Sequence, residues 1–269
     1  MSETFGRADQ PSLIQPIEGF SAWKTERRGQ DKGGGGLMML YRDTLTAHEW
    51  SPPVAPELDY IKNERQWLLI DSSKERCAFL HIYIACQNHR NDSYLKWNED
   101  LFHLITTEAI KLRKLGFMVL AMGDFNSRVG AIPGLEGNSP DTNINTPRFL
   151  NFITEVQLVI INTLPITKGL FSRFMQGKKS LLDYGLVDSD HTNTVTSFVI
   201  DEEARYICSQ YIQTNPQKIF LDGDADLTML SWSAYCSLVP GPRCAGTTRR
   251  PYTTTSRRVH MATTKPTWT

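Results

Sequence analysis

Residues 118–130 read MVLAMGDFNSRVG, and this segment constrains the chain more than any other. The apolar run Met118–Met122 predicts a short buried strand. It stops at Gly123, and Asp124, Phe125 and Asn126 follow. A carboxylate and an amide at the end of a buried strand are costly unless they have a task. In an extended segment, side chains two apart point the same way. Asp124 and Asn126 are therefore expected to face one polar pocket, with Phe125 packed behind. An Asp in that place can hold or activate a water, and an Asn can donate to a phosphate and accept from a neighbour. Taken alone, Gly-Asp-x-Asn also reads as a turn rich in turn-forming residues.

The remaining segments predict alternating elements. Strands are expected at Leu37–Arg42, Gln66–Asp71, Cys77–Cys86, Val159–Asn162, Leu181–Val187 and Val195–Ile200. The Cys77–Cys86 run shows little polar alternation, which suits a strand buried on both faces. A helix is expected over Asp92–Leu115, with cap candidates at Asn91, Asp92 and Ser93 and a stop at Gly116. A second is expected over Thr146–Val156, with Pro147 in its first turn. Residues 1–36 read as loop, closing on four glycines at 33–36. Several neighbouring strands have no helix between them. That favours an α+β or mixed-sheet sandwich over a doubly wound parallel sheet.

The chain has 269 residues, enough for one large domain or two small ones. Net charge is zero but unevenly placed. Residues 1–226 hold 23 Lys and Arg against 29 Asp and Glu, and the remainder holds six cations and no acid. Such a basic tail either touches nucleic acid or membrane or is simply solvated. The five cysteines have no metal-finger spacing, and their odd number suits a reducing compartment. No apolar run approaches the ~20 residues needed to span a bilayer. MSETFGRADQ shows no signal-peptide pattern. Patterning decays from about Ile207, so residues 1–206 are expected to form the domain. Residues 207–269 are expected to form a divergent, largely disordered Thr/Arg-rich tail.

In order, the chain offers Ser2-Glu3-Thr4, His81-Ile82-Tyr83, the GDFN segment with Arg128-Val129-Gly130, Asn162-Thr163, Phe171-Ser172-Arg173-Phe174, and Ser180-Leu181-Leu182-Asp183-Tyr184. This order resembles the endonuclease/exonuclease/phosphatase superfamily over about residues 2–206. More narrowly, it resembles the apurinic-type endonuclease domain of non-LTR (LINE-like) retrotransposon polyproteins. The resemblance implies a four-layer α/β-sandwich of two mixed sheets flanked by helices. It also implies Mg²⁺- (or Mn²⁺-) dependent hydrolysis of a phosphodiester in DNA, by an intracellular monomer with no membrane partner and with the nucleus among its possible locations. By the same resemblance, Glu3 binds the metal, Tyr83 reaches the scissile phosphate, Asp124 activates water, Asn126 binds phosphate and Asp183 orients a catalytic His; Asn162 supports the site or closes a strand-end turn.

The pattern departs from the family in two places. The family's first strand, with its metal-binding Asn, has no counterpart ahead of Glu3, so the fold is expected to be incomplete. The family's downstream Ser-Asp-His is also missing: around Tyr206-Ile207-Cys208-Ser209-Gln210 no Asp-His occurs. Ser189-Asp190-His191 begins only six residues past Asp183. A straight strand would put even Ser189 about 20 Å from Asp183, and His191 farther, so a surface turn mimicking the motif is expected. His81 is expected to be a core or rim residue. Activity is therefore expected to be impaired, the alternative being an inactive retroelement remnant that at most binds nucleic acid.

Overall fold

A computed structural model describes residues 18–25, 37–71, 76–86, 93–135, 141–175, 178–200, 227–230 and 234–238. Its strands and helices, in chain order, are β1 (Phe20–Thr25), β2 (Leu37–Arg42), β3 (Ala47–Trp50), β4 (Arg65–Asp71), β5 (Arg76–Tyr83), α1 (Ser93–Lys114), β6 (Met118–Asp124), α2 (Thr146–Val156), β7 (Leu158–Ile160), β8 (Thr167–Lys168), β9 (Arg173–Met175), β10 (Lys178–Ser180), β11 (Asp183–Asp188), β12 (Val195–Ile200), β13 (Leu227–Leu230) and β14 (Ala234–Leu238).

The central sheet has six strands in the order β3-β4-β5-β6-β11-β7. Only β5 and β6 run parallel, and α1 is the crossover that joins them. One face of this sheet carries the helices. Leu101, Ile105, Ala109 and Leu112 form the buried stripe of α1, at the spacing of a helix face. Arg65 and Trp67 of β4 point to the same side and meet Glu108 of α1: Arg65 Nε and Trp67 Nε1 donate to Glu108 Oε2 at 2.7 and 2.8 Å. On α2, Phe149 lies 4.8 Å from the Tyr184 ring of β11 and 4.7 Å from Phe125.

The opposite face packs on a second layer of strands. Gln66 of β4 donates across the gap to the carbonyls of Trp23 and Leu37, in the antiparallel pair β1–β2. Next to this pair lies a sheet ordered β13-β14-β12-β8. Phe198 of β12 presses on β11 at Gly185, where a Cβ would stand 2.5 Å from the ring. Gly185 is therefore what lets the two layers close. The architecture is a mixed α/β-sandwich, and both described α-helices lie on one outer face. No helix among the described residues is long and apolar enough to cross a membrane.

Several expected boundaries move. Residues 1–36 are not all loop, since Phe20–Thr25 forms β1; only Trp23 is buried in it, so its apolar signal is weak. The short strand β3, half-exposed at the sheet edge, was likewise not expected. The fifth strand ends at Tyr83 rather than Cys86: the Ile84 N–H makes the last bond to β6, to the Asp124 carbonyl at 2.8 Å, and beyond it the Ala85 N–H and carbonyl are taken by the Asn98 side chain. Asn162 lies not in a strand but in the 3₁₀ turn Ile161–Thr163. The boundary at 206/207 falls outside the described residues.

Candidate active site

Three neighbouring strands end in one polar row. In register, Tyr83 of β5 stands beside Asp124 of β6, and Asp124 stands beside Asp183 of β11. Paired positions on adjacent strands share a face, with Cβ atoms roughly 5 Å apart. The row behind it is His81, Met122 and Gly185, and behind that Phe79, Leu120 and Val187. All but Gly185 of these are core side chains, so the sheet face is sealed until its last row. There Tyr83 is 8% exposed and Asp183 5%, while Asp124 is half-buried. Like charges placed directly opposite on a sheet are destabilising. An arrangement that sets Asp124 beside Asp183 spends stability on a site that favours a cation.

The GDFN segment makes this row and the turn that leaves it. Gly123 has φ +154°, and a Cβ there would stand 2.0 Å from the Ile82 carbonyl oxygen. The glycine of the motif is thus required by the close approach of β5, not by chemistry. After Asp124 the chain does not continue extended. Asp124 Oδ1 accepts the Asn126 N–H at 2.8 Å, and Asn126 takes a left-handed φ of 43°. Asn is among the residues that tolerate this region. The alternation argument therefore does not apply to Asn126. Its Nδ2 instead donates to the Ile84 carbonyl at 2.8 Å, tying the exits of β5 and β6 together. Phe125 packs behind the turn, fully buried against Phe149 and Phe152.

A buried web of amides holds this turn. Asn98 of α1 is 1% exposed. It accepts from the Ala85 N–H at 3.1 Å and donates to the Ala85 carbonyl and to Asn145 Oδ1, both at 2.9 Å. Asn145 Nδ2 donates to the Asn126 carbonyl at 3.0 Å, and Asn143 Nδ2 to the same oxygen at 2.7 Å. On the other side, Ser172 Oγ accepts the N–H groups of Leu182 and Asp183 at 3.0 and 3.1 Å. Asn162 brackets Asp183: Nδ2 donates to the Asp183 carbonyl at 3.2 Å, and Oδ1 accepts the Gly185 N–H at 2.9 Å. Asn162 thus supports the site's backbone. Sequence reading missed Asn98, Asn143 and Asn145, and it noted Ser172 without its task. A lone Asn inside a helical run gives no sign of the loop it will meet.

The remaining candidates fall as follows. Glu3 lies outside the described residues, as does Tyr206–Gln210. Ser189–Thr194 is a 3₁₀ turn beyond the far end of β11, about 17 Å of strand from Asp183. There Arg113 pairs with Asp188 at 2.8 Å and approaches Asp190 at 3.9 Å. The Ser189-Asp190-His191 tripeptide is therefore a turn remote from the polar row. His81 is 2% exposed, with Nδ1 3.3 Å from Gln66 Oε1, and burial pushes its pKa well below the usual histidine value. It is a neutral core histidine.

A divalent metal of the kind the sequence resemblance implies finds donors of the right kind here, because a hard cation takes carboxylate and amide oxygens. Asp124 and Asp183 provide two on adjacent strands. Among the described residues no group of three or more His, Cys, Asp or Glu side chains is close enough to hold a metal; a third donor, Glu3 by the resemblance, is not among them.

No family model matches the sequence, and no curated protein matches it. Solved structures do share its shape. AP endonuclease LMAP from Leishmania major superposes with a TM-score of 0.53 at 14% identity, over 68% of this chain and 66% of that one. The 3′ phosphatase NExo from Neisseria, bound to a product DNA hairpin, superposes with a TM-score of 0.51 at 15% identity, over 82% of this chain and 80% of that one. The chain thus spans just under two thirds of the length of LMAP. At such identities the likeness shows the fold alone: the chain shares the α/β-sandwich of these two proteins.

Proposed function

We propose that this chain is a metal-dependent phosphodiester hydrolase that nicks DNA and derives from a LINE-like retroelement. The observation that carries the reading is the row Tyr83–Asp124–Asp183, set by strand register at one end of the central sheet. The retroelement origin rests on the sequence alone, on GDFN followed by Arg128-Val129-Gly130. The DNA substrate draws support from the structures that share the fold, one an AP endonuclease and the other bound to DNA.

Each residue type suits one part of phosphodiester hydrolysis. Asp124, half-buried and fixed by the Asn126 N–H, orients the attacking water and takes its proton. The Tyr83 hydroxyl, beside Asp124 in the row, donates to a phosphate oxygen. Asn126 spends one amide N–H on the Ile84 carbonyl and keeps the other for phosphate. By the resemblance Asp183 would orient a catalytic histidine, and none of the described histidines stands open in its row. Glu3 is the residue that would hold Mg²⁺ or Mn²⁺, which supplies charge neutralisation at the phosphate and leaving oxygens.

A second reading has an observation of its own. None of His48, His81, His103 and His191, the described histidines, is an open group in the polar row: His81 is sealed behind it, His191 lies at the far end of β11, His48 is on β3 and His103 on α1. Loss of a positioned general acid costs about 10²–10⁴-fold. A remnant that binds DNA and hydrolyses it slowly or not at all fits that arrangement. Closed circular DNA, which has no ends, separates the readings. An endonuclease converts it to the nicked form with Mg²⁺ or Mn²⁺ and not with EDTA. A binding remnant shifts its mobility and leaves it closed. A 3′ phosphatase acts only on a 3′-phosphorylated oligonucleotide.

A further inference from the structure

From Ala121 to Gly130, Asp124 and Arg128 are the two residues of intermediate exposure, and the others are buried. Asp124 ends β6 in the polar row. Arg128 sits four residues on, in the loop that leaves it. The backbone of Arg128 is held on both sides. Its N–H donates to Asn143 Oδ1 at 3.3 Å, and its carbonyl accepts from Thr146 Oγ at 2.6 Å. Val129 then bridges to Thr142. Asn143 also donates to the Asn126 carbonyl at 2.7 Å, so one amide fixes the positions of Asn126 and Arg128 together.

The guanidinium is treated differently from its backbone. Arg65 is taken up by Glu108, Arg113 by Asp188, Arg148 by Glu99 and the Ile144 carbonyl, and Arg76 by Asp71 and the Leu115 carbonyl. The Arg128 side chain forms no hydrogen bond, ion pair or ring contact among the described residues, and it does not close on Asp124. A long cation on a rigid mount, with no partner among the described residues, is not held there by a bond of the fold. Its planar fork of donors matches the oxygens of a phosphate. A fixed positive charge at this point also offsets the repulsion that the Asp124–Asp183 pair exerts on an incoming polyanion.

We infer that Arg128 is a DNA-backbone contact, donating to a phosphate that flanks the one at the polar row. The assignment rests on the reading of this chain as a DNA hydrolase. It fixes which stretch of the surface the substrate strand crosses: past the loop after β6, beside the start of α2. Contacts of this kind position the substrate and carry no sequence information.

Salt-dependent binding tests the assignment. The full chain is titrated onto a short fluorescent DNA duplex at several KCl concentrations, with Ca²⁺ in place of Mg²⁺. Arg128→Ala is expected to raise Kd about tenfold. It is also expected to lower the slope of log K against log salt by about one, for duplexes of any sequence. Arg128→Lys restores the slope while leaving affinity below that of the parent. Thermal unfolding stays unchanged in both variants, since the side chain has no partner to lose among the described residues. A parental Kd and slope in Arg128→Ala, or a weaker Kd with the parental slope, overturns the assignment and leaves the DNA reading standing. A parent chain that binds no duplex overturns both.

Discussion

Asp124 and Asp183 are cross-strand partners in the β6–β11 ladder, so two carboxylates from distant parts of the sequence sit side by side on one sheet face. A fold selected only for stability avoids such a pair. Removing one charge while keeping the shape therefore separates the needs of the fold from those of the site. Asp183→Asn is expected to leave urea-unfolding stability unchanged or to raise it by up to about 1 kcal/mol. The same change lowers hydrolysis by about 10²-fold or more. A loss of stability together with full activity would mean that the pair is structural.

The amide web makes the opposite prediction. Asn98→Ala leaves the Ala85 N–H, the Ala85 carbonyl and Asn145 Oδ1 without the partner they have now. Stranding buried polar groups costs about 1–3 kcal/mol each before relaxation. Chemical denaturation of Asn98→Ala should show a loss of at least about 2 kcal/mol, with hydrolysis falling as the turn at Asn126 loosens. Parental stability in this variant would remove the web from the account.

His81 gives a pH dependence. Its folded pKa is held well below the usual value by burial, whereas in the unfolded chain it titrates near about 6.5. Below that pH the unfolded state binds the proton and the folded state does not. Stability then falls as pH drops from about 6.5 towards the folded pKa, by about 1.4 kcal/mol per pH unit from this residue, and is flat above it. Denaturant midpoints between pH 7.5 and 5.5 should show this decline in the parent and a shallower one in His81→Met. Equal slopes would mean that His81 is protonated in the fold.

His191 should be dispensable. It lies in the turn beyond the far end of β11 from Asp183. His191→Ala is expected to keep the parental rate of DNA hydrolysis within about twofold, well inside the about 10²–10⁴-fold cost of losing a general acid. A large loss in a variant that melts like the parent would identify His191 as catalytic and displace the polar row.

The sequence made α2 and the ends of β2 and β12 readable, because each is a clean run bounded by turn residues, with Pro147 marking the helix start. Glu3, Tyr83, Asp124, Asn126 and Asp183 were expected from motif order to share one cleft; ladder register sets Tyr83, Asp124 and Asp183 in one row, Asn126 stands in the turn that leaves it, and Glu3 lies outside the described residues. The conformation of Asn126 was not legible. The extended premise held only to Asp124, where the carboxylate captures the Asn126 N–H and turns the chain. Leu181 and Leu182 looked like the start of β11, yet their place is in the loop held by Ser172, and pairing with β6 begins at Asp183. Asn98 and Asn145 left no trace, because what they bond to is set by tertiary packing alone.

Supercoiled plasmid tests the central claim most directly. The full chain is incubated with it in Mg²⁺ or Mn²⁺, alongside Asp124→Ala. The account predicts slow, metal-dependent conversion to the nicked circle by the parent chain, and none by Asp124→Ala that melts at the parental temperature. Equal nicking by the two proteins, or no nicking by the parent with either metal, would contradict it.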